Sequence, residues 1–122
     1  AYTATSNRHL KTNISLLGSD ILDKIALLKP SRYSYIRDPL NQMTIGFMAE
    51  DVKPLFPELV DAVGENSENM AINYAAFSVV AIKAIQQQQK QMEALQTENE
   101  QLKNRLERLE NLVASTAQKE ND

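Results

Sequence analysis

The sequence predicts an α+β fold: a small domain of short helices and β-hairpins, continued by one long C-terminal helix. Three observations predict it. No glycine or proline interrupts the chain from Asn73 to about Ala114, so nothing in that stretch breaks a helix. Apolar residues in its second half recur at heptad spacing. Ahead of it, short runs rich in β-branched and aromatic residues alternate with turns carrying Gly, Pro, Asn and Asp.

Each element can be justified in order. Residues 1–18 carry no clear period. Ala1-Tyr2-Thr3-Ala4-Thr5 reads as the end of something longer. After Gly18, the residues Ile21, Leu22, Ile25 and Leu28 recur at helical spacing, with Ser19 or Asp20 as the N-cap and Pro30 as the stop. Arg32–Ile36 reads as a strand, Asp38–Asn41 as a turn, and Met43–Met48 as the returning strand. Ala49–Lys53 reads as a short helix closed by Pro54 and Pro57. Leu59–Val63 and Met70–Ile72 read as two short strands around a turn at Gly64–Asn69. Asn73 is the expected N-cap of the final helix, and Gln86–Gln89 lies within its helical pattern.

The heptads define a seam. With Ile85, Met92, Asn99, Leu106 and Val113 at position a, position d falls on Gln88, Leu95, Leu102 and Leu109. The segment is about 43 Å long at the helical rise per residue. Glu98 at g faces Lys103 at e of a neighbouring chain, and Arg105 at g faces Glu110 at e. Both pairings favour parallel, in-register chains. Asn99 and Gln88 are polar seam positions, which fix register at a cost in stability. The heptads alone leave dimer and trimer open.

Composition excludes several classes. The chain has 122 residues, a net charge of −3 and no strongly basic run, so nucleic acid is not an expected partner. It has no cysteine and a single histidine, His9, so no metal site or disulfide framework is expected. No apolar run reaches the roughly 20 residues that span a bilayer, and no membrane partner is expected. No phosphate loop or cofactor motif is present, so no cofactor is expected.

The candidate chemistry lies near the start. Ser6 and Lys11 stand five residues apart. A serine hydroxyl is a weak nucleophile until a base takes its proton, and lysine serves as that base when burial lowers its proton affinity. The two side chains meet only if the chain bends. In such a bend, strain at the Ser6–Asn7 bond would assist attack on the serine's own carbonyl. Taken by itself, the spacing is a weak signal and is more simply that of a loop serine and a solvated lysine.

Four blocks in order resemble a known family. They are Ser6-Asn7-Arg8-His9-Leu10-Lys11-Thr12-Asn13-Ile14, Leu28-Lys29-Pro30-Ser31-Arg32-Tyr33, Gly46-Phe47-Met48-Ala49-Glu50-Asp51-Val52 running on to Phe56-Pro57-Glu58-Leu59-Val60, and Tyr74 at the head of the final helix. The chain resembles the C-terminal self-cleaving intramolecular chaperone domain of phage endosialidases, tailspikes and tail fibres, which also occurs in the myelin regulatory factor. Two positions depart from the family pattern: Asn7 replaces its aspartate and His9 its arginine. The resemblance implies a homotrimer, so that the helix forms a parallel trimeric coiled coil with Ile85, Gln88, Met92, Leu95, Asn99, Leu102, Leu106, Leu109 and Val113 at the trimer interface. It implies a chaperone that guides folding of an upstream fibre or tailspike of the same chain. Release is by cleavage at Ser6–Asn7, with Ser6 as nucleophile, Lys11 as general base and His9 as a candidate assisting group. It divides the chain into the end of an upstream fibre segment (1–6), the chaperone domain (7–84) and the coiled coil (85–118). The setting it implies is the host cytoplasm during virion assembly, with a bacterial surface fibre as the other option. A retained trimerisation cap and a receptor-binding fibre tip using the loop Asp38–Gln42 are the competing functions, together with a regulator that frees an upstream domain. In that light Phe47, Phe56, Tyr33 and Tyr74 are expected in the core and Tyr35 at the surface.

Overall fold

The structure, a computed structural model, describes residues 3–121. Ala1 and Tyr2, the first residues of the expected upstream segment, lie outside the described residues. The chain divides into two compact units, Ala1–Lys83 and Ala84–Asp122.

The first unit carries the short elements. Helix α1 spans Ile21–Ala26, with Ile21 buried and Leu22 and Ile25 half-buried. It stops before the pattern does, because the residue preceding Pro30 is disfavoured in helical backbone and the turn ahead of it unwinds. Asp20 stands at the N-cap position, yet its side chain makes no cap hydrogen bond. Its carboxylate is engaged instead by Lys24 at 3.1 Å. That pairing holds the Asp20 carboxyl below the usual carboxylate range, with the Lys24 hydrogen bond as the main cause.

Strands β1 (Ser31–Tyr33) and β2 (Thr44–Gly46) pair antiparallel, Ser31 opposite Gly46 and Tyr33 opposite Thr44. Both are shorter than the sequence runs from which they were expected. The ladder ends where Asp38 organises the connecting loop: its carboxylate accepts from the backbone N–H groups of Leu40 (3.0 Å) and Gln42 (2.8 Å), an aspartate-headed turn that competes with strand pairing. Helix α2 (Ala49–Val52) follows, with Glu50 and Asp51 in its first turn, where acidic residues suit the helix dipole. A single 3-10 turn at Pro57–Leu59 leads into β3 (Val60–Val63), which pairs antiparallel with β4 (Asn69–Ile72). Between these strands Gly64 takes a φ of 98°, a left-handed conformation that glycine adopts without steric cost.

Ile21, Val52, Phe56, Leu59 and Val80 are buried in this unit, Val52 completely. Around them the rings of Phe47 and Phe77 lie 5.2 Å apart and those of Phe56 and Phe77 5.9 Å apart, distances at which aromatic pairs attract. Phe56 is core as expected. Phe47 and Tyr33 are only half-buried. Tyr74 is 47% exposed, which corrects its assignment to the core. A phenol keeps its hydroxyl near water or a partner, and here the Tyr74 Oη accepts from the Phe47 backbone N–H at 3.0 Å.

Helix α3 runs from Phe77 to Asn121 without interruption. Asn73 does cap, but it caps a lead-in turn: its Oδ1 accepts from the Ala76 N–H at 3.2 Å. Regular helix begins four residues later. The helix also passes the expected end near Ala114, since nothing there breaks it and Ala, Gln, Lys and Glu favour it. The second unit is helical at every described position.

Candidate functional site: the Ser6–Lys11 pair

Five residues of extended chain would separate Ser6 from Lys11 by about 17 Å. One 3-10 turn, Arg8–Leu10, closes that gap. Its hydrogen bonds run from the Leu10 N–H to the Asn7 carbonyl (3.1 Å) and from the Lys11 N–H to the Arg8 carbonyl (3.0 Å). The result is direct contact: the Lys11 ammonium donates to Ser6 Oγ at 2.6 Å. This is hydrogen-bond reach for a nucleophile and its base. No periodic signal marks the turn, because three residues are too few to carry one.

The surroundings are open. Every described residue from Thr3 to Asp20 is exposed, Ser6 and Lys11 included. A lysine works as a base only when neutral, and burial is what drives it there. The single chain supplies the geometry without the burial. Asn7 precedes the turn in ordinary extended backbone, φ −65° and ψ 144°, and its side chain makes no cap hydrogen bond. The expected strain at Ser6–Asn7 is therefore not found on the Asn7 side of the bond. His9 sits inside the turn and is exposed. Two residues downstream of Lys11, Asn13 holds a φ of 54°, a left-handed conformation that asparagine tolerates better than most residues.

The seam residues lie together on α3. Ile85, Met92, Leu95, Leu102, Leu106, Leu109 and Val113 are each between 50% and 68% exposed, and Gln88 and Asn99 are exposed beside them. Leu112, at position g, is exposed to 63%. The strict a/d pattern missed it; a count of apolar flanking positions would have found it, and it widens the stripe at its C-terminal end. Tyr35 is exposed, as expected.

A second polar cluster surrounds β2. The Tyr33 hydroxyl is pushed up to about 12, first by hydrogen bonding with Tyr35, then by burial, then by Tyr74. The rings of Tyr33 and Tyr35 meet edge to face, 5.5 Å apart. Gly46 lies beneath: a Cβ there would sit 2.5 Å from the Tyr74 hydroxyl and 2.9 Å from that of Tyr33. Only glycine admits the three groups at these distances.

Residues 6–61 match the family model described as chaperone of endosialidase, a model labelled as a peptidase family, and this segment is similar to that family. No curated protein matches the chain. The matched segment begins at the serine of the pair and ends in β3, so α3 lies outside it. No helix among the described residues is long and apolar enough to cross a membrane.

Proposed function

We propose that this chain is an intramolecular chaperone that trimerises through the α3 seam and holds an upstream phage fibre or tailspike in register while it folds. It is then released by cleavage at Ser6–Asn7. Assembly takes place in the host, before the tail is complete. Residues 7–84 act as the chaperone domain and 85–118 as the coiled coil. Ser6 is the nucleophile and Lys11 the base; assembly supplies the burial that brings the lysine toward neutrality. Release makes the folded fibre kinetically stable, because the helper no longer couples its unfolding to refolding.

The observation that carries this reading is the 2.6 Å hydrogen bond from Lys11 to Ser6 Oγ, at the residue where the family match begins. The exposed apolar stripe of α3 supports the oligomer, since a stripe of that length needs a partner face. Intact-mass analysis of a chain carrying its native upstream fibre tests it, beside Ser6→Ala and Lys11→Ala. A fragment beginning at Asn7 in the parent alone is the expected result. One uncut mass in all three would leave a retained trimerisation cap.

A further inference from the structure

We infer that Ser6 acts across the assembly: the hydroxyl of one copy cuts the Ser6–Asn7 bond of another. The inference rests on the cleavage reading above and concerns which chain supplies the nucleophile. Ring size is the first argument. If Ser6 Oγ attacks its own carbonyl carbon, the ring formed contains Oγ, Cβ, Cα and C, four atoms. Its angles are forced roughly 20° below tetrahedral, and bond-angle strain rises quadratically with such deviations. The backbone beside the bond stores nothing to offset this, because Asn7 lies in relaxed extended space. A carbonyl presented by a second chain imposes no ring.

The second argument is access. Lys11 already holds the Ser6 hydroxyl at 2.6 Å within one chain, so each copy brings its own serine and lysine into contact. That pair stands on an arm exposed at every described residue from Thr3 to Asp20. An exposed arm is free to exchange between neighbours, the low-cost route by which identical chains share elements. Parallel, in-register copies bring the three arms to the same level and give each serine two foreign target bonds.

The step balances as an acyl transfer. Neutral Lys11 takes the proton from Ser6 Oγ of one copy, and Oγ bonds to the Ser6 carbonyl carbon of the next. The C–N bond to that copy's Asn7 breaks, and the lysine returns the proton to the leaving nitrogen. Water then hydrolyses the ester between the two chains, giving a carboxylate at one Ser6 and restoring the hydroxyl of the other.

Subunit mixing decides the matter. The full chain with its upstream fibre is co-expressed with a Ser6→Ala copy carrying a mass-distinct tag, and mixed assemblies are isolated through that tag. Cleavage of the tagged chain between residue 6 and Asn7 is the expected result, with a Lys11→Ala, Ser6→Ala double variant cut as well. If the parent chain is cut while the tagged chain in the same assemblies stays whole, the transfer is within one chain and the inference falls alone. A fragment beginning at Ser6 rather than Asn7 overturns it too, since it marks a five-membered ring closed on the preceding carbonyl. If no chain is cut in parent-only assemblies, the cleavage reading itself fails and takes the inference with it.

Discussion

The two units of the chain solve the problem of apolar surface in opposite ways. In the first, Ile21, Val52, Phe56, Leu59 and Val80 are buried, and the Phe77 ring lies within 6 Å of those of Phe47 and Phe56. In the second, one helix carries Met92, Leu95, Leu102, Leu106 and Leu109 more or less half-exposed along its length. The first unit finds its partners within the same chain. The second has the residues of a core with no element of its own to set against them. A helix that keeps its apolar residues on one stripe is stabilised chiefly by what packs on that stripe. The contrast teaches that apolar surface is covered within the chain in the first unit and left uncovered along the helix of the second.

The largest effect that could break this contrast is a charge in the seam. Leu102→Asp removes a buried leucine from each copy of the proposed coil and places a carboxylate there. Loss of a packed leucine alone costs about 2–5 kcal/mol, and each 1.4 kcal/mol is about tenfold in affinity. The dissociation constant of the proposed coil should therefore rise about 30-fold or more, as read by sedimentation equilibrium, while the near-ultraviolet signal of the first unit's tyrosines stays in place. An unchanged molecular mass would show that the stripe is not the interface.

An intermediate effect belongs to the first unit alone. Gly46→Ala pushes a methyl group into the hydroxyls of Tyr74 and Tyr33. The Tyr74 hydroxyl must leave its bond with the Phe47 N–H, and overpacking of this kind costs about 1–3 kcal/mol. Urea unfolding should report that loss at the first unit's transition with the molecular mass in solution unaltered. Tyr74→Phe sharpens the assignment: it deletes the hydrogen bond and also removes the nearer of the two obstructing hydroxyls. In the double variant the cost of the added methyl should shrink, a coupling that independent sites would not show.

Much of this was legible from residues, and what was not has identifiable causes. The absence of Gly and Pro after Asn73 gave the long helix, and Gly64, Pro54 and Pro57 gave the breaks between short elements. Strand ends were overextended at Tyr35–Ile36 and Met43, because aromatic and branched residues favour strands while Asp38 pulls the backbone into its own turn. Tyr74 was misplaced in the core because its ring reads as apolar while its hydroxyl seeks the Phe47 backbone. At the candidate site the identities of Ser6 and Lys11 were visible, but their contact depends on the three-residue turn Arg8–Leu10. A turn that short has no period for a pattern to detect.

The smallest effect is a titration, and it isolates the first unit from everything the helix does. The Tyr33 hydroxyl is raised to about 12 in the fold, against about 10 for a free tyrosine. Folding therefore favours the protonated form. That contribution is complete below about pH 10, where both states hold the proton, and is lost as pH climbs toward 12, because the unfolded chain ionises first. Stability of the first unit should fall across that window, and Tyr33→Phe, which keeps the ring and removes the proton, should fall less steeply. Absorbance at the phenolate band gives a second readout: one of the four tyrosines should ionise late in the parent and be missing from the variant. If all the tyrosines of the parent ionise together, the hydroxyl cluster of Tyr33, Tyr35 and Tyr74 is not formed in solution, and the close packing over Gly46 goes with it.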